Sequence, residues 1–161
     1  MAEIDSRLDS LGLALPAPLE LAAEDRPNHA AVCRQDSYAW VSGQGPMDGD
    51  RALVVGRVGD DLTLEQGAEA ARLAGLSMLA LLKHEFGDLD RITRWLRVVG
   101  YVNCVPGFTS TPAVINGFSD LIVSLWGENG NHARSAPGVT ALPLNVPVIV
   151  EAMVQVEPGT S

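Results

Sequence analysis

A chain of 161 residues is long enough for one domain to bury a core without disulfides or metals, and 47% hydrophobic content with a mean hydropathy of +0.13 argues for a packed fold and against disorder. A formal charge of -9 argues against the footprint of a nucleic-acid binder, because phosphate contacts are made by clustered Lys and Arg. No run approaches the roughly 18 apolar residues that span a bilayer, and the opening MAEIDSRLDSLG has neither a basic nor an apolar targeting region, so a cytoplasmic protein with no membrane partner is expected.

Cys33 and Cys104 stand in no metal-ligand or redox spacing and are expected to be reduced thiols. His29, His84 and His132 match no metal pattern either, so no metal and no cofactor are assigned. Aromatic residues make up only 5% of the chain, which leaves the core to aliphatic side chains.

In chain order, residues 5–14 read as a short helix or turn that must end at Pro16-Ala17-Pro18. Residues 30–34 and 38–42 read as two strands of a hairpin turning at Gln35-Asp36-Ser37, and the second runs out in SGQGP, where two glycines permit close backbone approach or an unusual dihedral. A further short strand is expected around residues 52–55. Thr63 with Gln66 forms a capping box, and Ala71, Ala74, Met78, Leu79, Leu82 and Phe86 share one face of the helix it opens, which should stop near Gly87. Residues 92–104 read as a long strand, with Trp95, Arg97, Val99 and Tyr101 on one face, Leu96, Val98 and Val102 on the other, and a bulge at Gly100. A second helix is expected with Thr111 as N-cap, Pro112 at its first position and an apolar stripe of Val114, Phe118, Leu121, Ile122 and Leu125. Residues 146–156 alternate as a final strand: Val146, Val148, Val150, Ala152, Val154 and Val156 face helices, while the half-apolar face of Ile149, Glu151 and Met153 is too greasy for plain solvent and implies a subunit contact.

Before that strand lies HARSAPGVTALP, with a single arginine among small residues. The guanidinium of Arg134 and backbone groups near Ser135 and Ala136 could approach a small anion closely; a surface arginine at a strand start is the other reading. The order of elements is that of an α+β domain, a mixed sheet with two helices on one face.

The motifs VSGQGP, VGDDLTLEQGAEAARLAGLSML, GDLD, GYVNCVPGF, VINGFSDL, GENGNHARSA and LPLNVPVIVEA, in this order, resemble the Rid/YjgF family of reactive-intermediate deaminases, also called the L-PSP endoribonuclease family, and most of all its longer branch with the HARSA signature. The resemblance covers residues 28–157, leaving 1–27 as an N-terminal arm and 158–161 as a tail. It implies a chorismate-mutase-like fold, a homotrimer around a central barrel, and ligand clefts between subunits. It further implies that Arg134 anchors the carboxylate of a 2-imino or 2-enamino acid, with Ser42 and Asn116 building or bracing the cleft. Three positions depart from the deaminase pattern. Ala136 stands where a cysteine is usual, Ile149 where a glutamate handles water, and His29 where a tyrosine is usual. Glu151 shares the side of the strand with Ile149 but sits ~6.6 Å further along. The expected function is therefore a small-carboxylate binder and candidate hydrolytic deaminase, with Arg134 and Glu151 as catalytic candidates and Arg134, Ser135, Ala136, Ser42, Asn116 and His29 as substrate-binding candidates. A non-catalytic metabolite-binding or pathway-accessory protein is the alternative, and an endoribonuclease is disfavoured by charge.

Overall fold

The sheet is built around the last strand in the chain. In the computed structural model, which describes residues 3–20, 22–25 and 27–157, β8 (Val148–Val156) lies centrally and carries its apolar alternation into the core: Val148, Val150 and Val154 are fully buried. On one side it pairs antiparallel with β2 (Tyr38–Gln44), which pairs in turn with β1 (Val32–Gln35); on the other it pairs antiparallel with β5 (Ile92–Asn103). Beyond β5 the edge holds two short strands parallel to it, β6 (Ala133–Ser135) and β7 (Gly138–Val139). Ala136 and Pro137 separate them, and the Pro137 carbonyl still accepts from Val102 N at 3.0 Å, so the edge tolerates a residue with no N–H of its own. A separate hairpin of β3 (Met47–Asp48) and β4 (Arg51–Ala52) replaces the strand expected at 52–55.

Two helices cover one face. The longer, α2 (Leu64–Phe86), begins with the capping box: Gln66 N donates to Thr63 Oγ1 at 3.2 Å and Thr63 N to Gln66 Oε1 at 2.9 Å, and Gly87 ends it with φ 79°. Against it lies α3 (Thr111–Trp126), at a separation only small residues allow. A Cβ on Gly117 would stand 1.8 Å from the Ala68 carbonyl oxygen, and one on Gly75 would meet Leu121 at 2.8 Å. The N-terminal helix, α1 (Glu3–Ser10), is tied in as well: Asp90 Oδ1 accepts from Ile4 N at 2.8 Å, and Ile4 and Leu8 join the main core. The expected tail, 158–161, lies outside the described residues.

Three local expectations are corrected. The register of β5 against β8 slips near Thr93 and again near Leu96, whereas Gly100 pairs regularly with Val150. The slip at Leu96 turns Trp95 to the same side as Val98, so Trp95 faces the helices, edge-on to Phe118 at 5.9 Å and to Trp126 at 5.4 Å between ring centroids. Gly100 is needed for space: a Cβ there would stand 2.5 Å from Ile115. At the start of α3 the N-cap is Ser110, one residue earlier than expected, because the Thr111 hydroxyl donates instead to the Ala136 carbonyl at 2.6 Å.

Candidate functional site

The alternation of β6 decides which candidates meet. Arg134 is in register with Val98, a core residue, and so points toward the helices; Ser135 is in register with Val99 and points to the open face. On the helix side the guanidinium of Arg134 reaches α3, where its Nη1 donates to Asn116 Oδ1 and to Ser119 Oγ, each at 3.0 Å, and its Nη2 to the Pro112 carbonyl at 3.2 Å. Asn116 and Ser119 are three apart, so α3 presents both on one surface stripe. Among the described residues no carboxylate lies within ion-pair distance of Arg134.

The cluster extends one residue further than the candidates drawn from the sequence. His132 is half-buried, with Nε2 2.9 Å from Ser119 Oγ and Nδ1 2.7 Å from the Gly130 carbonyl. Burial pushes its pKa down, the Gly130 carbonyl raises it, and the neighbouring Arg134 charge lowers it further. Ala136 contributes only backbone and a methyl group, its side chain resting against the core.

Glu151 and Ser42 belong elsewhere. Glu151 pairs with Val99 on the open face of the sheet. There, with Trp40, Ser42, Arg97, Cys33 and Met153, it lines a shallow concavity of about 370 Å³. Tyr101, on the same face, has its pKa raised, first by desolvation and then by the charge and hydrogen bonding of Glu151, with Arg97 opposing. The Ser42 hydroxyl donates to the Ala30 carbonyl at 2.7 Å, which braces the loop holding the exposed His29 next to Ala30. Ile149 packs over Gly43, where a Cβ would stand 2.5 Å from its Cγ2; close approach, with no left-handed dihedral, is what the first glycine of SGQGP provides. Within one chain, then, Arg134, Asn116 and the backbone of Ala136 come together, while Glu151, Ser42 and His29 do not join them.

Among the described residues no group of three or more His, Cys, Asp or Glu could hold a metal ion, and no helix is long and apolar enough to cross a membrane.

A mixed sheet with two long helices on one face, joined through a β-α-β crossover, is a chorismate-mutase-like α+β fold. The family described as "YjgF/chorismate_mutase-like, putative endoribonuclease" matches residues 5–156, and the chain belongs to it. Protein TCP17 of Trypanosoma cruzi is 37% identical over 153 residues, spanning 94% of this chain and 93% of its own. The crystal structure of protein Atu1372 from Agrobacterium tumefaciens superposes with a TM-score of 0.85 at 36% identity, covering 96% of this chain and 94% of that one. A structure from Shewanella oneidensis, titled a putative endoribonuclease, does so with a TM-score of 0.86 at 32% identity, covering 95% and 99%.

The sequence reading missed Ser119 and His132. Two signals were present. His132 stands two residues before Arg134, next to the start of β6, and Ser119 falls one helical turn after Asn116.

Proposed function

We propose that the chain binds a small carboxylate metabolite at Arg134, in clefts completed by further copies of the chain in a homotrimer. The observation that carries this reading is a guanidinium held by neutral acceptors, on Asn116, Ser119 and Pro112, with no acidic partner among the described residues, in a chain of formal charge -9. Such an arginine is oriented without being neutralised. Among the described residues Nη1 has two acceptors and Nη2 one, and Nε–H has none, which leaves donors of the guanidinium for a carboxylate. Because the side chain is already ordered, little rotamer freedom is left to lose on binding.

The open face supports the trimer. Trp40, in register with Met153, is 44% exposed and Tyr38 39%, on the same face as Ile149, which is more apolar surface than two neighbouring strands leave to water without reason. Glu151 belongs to that face, so only another copy could bring it to a ligand at Arg134. On a 2-imino acid held by its carboxylate, water adds to the adjacent C=N carbon, the nitrogen departs as ammonia, and a 2-oxo acid remains; a 2-enamino acid first takes a proton on carbon to become the imine. Positioning alone can supply a useful part of this acceleration, since imines hydrolyse readily in water.

A non-catalytic metabolite binder is the second reading. It is favoured by Ala136 and Ile149, neither of which can take or give a proton, and by the packing of Ile149 over Gly43. An endoribonuclease role is opposed by the charge.

The test generates 2-imino acids in situ with an amino-acid oxidase and follows 2-oxo acid release with wild type, Arg134→Ala and Glu151→Gln. Deamination predicts acceleration by wild type that Arg134→Ala removes. No acceleration with retained binding of pyruvate supports the non-catalytic reading. Acceleration that survives Arg134→Ala refutes the anchor.

A further inference from the structure

His132 is bound into the same hydrogen-bond chain as Arg134, and chemistry sets the direction of each link. The Gly130 carbonyl can only accept, so His132 Nδ1, 2.7 Å away, carries the proton and donates. In the neutral ring Nε2 is then a bare acceptor. Ser119 Oγ, 2.9 Å from it, supplies its single hydrogen there, and the Ser119 oxygen faces Arg134 Nη1 at 3.0 Å with a lone pair. The chain reads from Arg134 to Ser119 to His132 to the Gly130 carbonyl. The edge of the Phe118–His132 pair, 6.5 Å between centroids at 77°, fixes the ring plane.

From these contacts we infer that His132, acting through Ser119, is the positioning residue for Arg134. The neutral ring holds the Ser119 hydroxyl pointing away from the guanidinium, so that the serine presents an acceptor and not a donor to Nη1. Protonation of His132 places a hydrogen on Nε2. Ser119 then receives donors from both sides, its own hydrogen loses its acceptor, and an imidazolium stands near a guanidinium. α3 offers His132 only the uncharged Phe118 and Ser119, the turn of residues 127–130 offers a carbonyl, and β6 offers the Arg134 charge. Among the described groups only the Gly130 carbonyl favours the new positive charge, desolvation and the Arg134 charge oppose it, and Arg134 is the group displaced. The depressed pKa of His132 agrees with this arrangement. The consequence for ligand binding rests on the reading of Arg134 as a carboxylate anchor; the positioning itself does not.

The experiment is NMR on the full chain, with side-chain 15N relaxation of arginine Nε and imidazole 15N shifts assigned through the variants. In wild type near neutral pH, His132 is expected in the Nδ1–H form and Arg134 Nε as rigid as the backbone. His132→Phe and Ser119→Ala should make Arg134 Nε mobile. His132→Gln, whose carbonyl can still accept from Ser119, should keep it rigid and remove its response to acid. Acidification of wild type through the His132 titration should release Arg134. An Nε2–H tautomer, or an Arg134 equally rigid in His132→Phe, overturns the inference. Pyruvate titration of the same samples separates the two readings. Weakening by about 5- to 10-fold in His132→Phe, the loss of one neutral hydrogen bond, is expected if Arg134 anchors carboxylates. A rigid, His132-dependent Arg134 that binds no carboxylate leaves the positioning intact and refutes the anchor alone.

Discussion

Arg134 and Glu151 lie on opposite faces of one sheet. Arg134 is in register with Val98, and through it with Ala152, on the helix side, while Glu151 is in register with Val99, and through it with Ser135, on the open side. The two residues with the strongest chemical claims are thus separated by the sheet itself, and no side-chain rotation within a single chain joins them. Any reaction that needs both must be assembled from more than one copy.

Glu151 has a spectroscopic reporter. Its charge and hydrogen bonding help to raise the pKa of Tyr101, and Arg97 opposes the rise. Glu151→Gln should move the Tyr101 titration down and Arg97→Gln should move it up, read by ultraviolet absorbance against Tyr38 as the other tyrosine. Shifts of the same sign would mean that the three groups do not share this surface.

Arg134→Ala removes three hydrogen bonds between β6 and α3 and should cost about 1–2 kcal/mol of stability. Arg134→Lys keeps the charge but loses the planar fork. It should fold normally and, if Arg134 anchors carboxylates as proposed, bind pyruvate about 10-fold more weakly than wild type, as calorimetric titration would show.

The lowered pKa of His132 implies a pH-dependent stability. An unfolded histidine titrates near about 6.5, so just below that pH the unfolded chain binds more protons than the folded one and stability rises with pH. The contribution is complete above about 6.5 and is lost as pH falls toward the folded value. Urea midpoints measured at about pH 5 and about pH 7.5 should differ more for wild type than for His132→Gln.

Gly117→Ala pits helix propensity against space. Alanine is favoured by about 1 kcal/mol in a helix, but its Cβ would stand 1.8 Å from a backbone oxygen of α2 that no side-chain rotation can clear. Overpacking should win, with a Tm lowered by roughly 3–10 °C in a thermal melt.

Thr63→Ala should cost about 1 kcal/mol by opening the capping box at the start of α2. The same substitution at Thr111 should also destabilise, but through the lost tie to Ala136 and not through helix capping. Strengthening the N-cap with the negatively charged Ser110→Asp should not restore the tie to Ala136, so its increment should be much the same with Thr111 or with alanine at 111, a comparison that a set of thermal melts makes directly.

These outcomes divide along what a sequence can carry. The start and stop of α2 were legible because capping box and C-cap glycine are local, within four residues of the ends they define. The two faces of β8 were legible because alternation survives in every residue of an unbroken strand. Trp95 was assigned to the wrong face because the slip at Leu96 leaves no mark in composition: it is set by how β5 meets β8, far away in sequence. Thr111 lost its capping role for the same kind of reason, a carbonyl 25 residues on that competes for its hydroxyl. At the site, Arg134 stood out by its small neighbours. Ser119 and His132 did not, since a serine on a helix and a histidine in a loop are ordinary until the crossover brings them to one guanidinium.

The edge formed by β6 and β7 has a meaning for how the chain behaves at high concentration. A long uninterrupted edge is a template on which another molecule can add a strand and begin an ordered aggregate. Here the edge is three residues, then Ala136 and Pro137, and then two residues, and the opposite edge at β1 is four residues long. Neither offers a foreign strand a long run of backbone donors and acceptors, so both margins of the sheet discourage fibril-like growth.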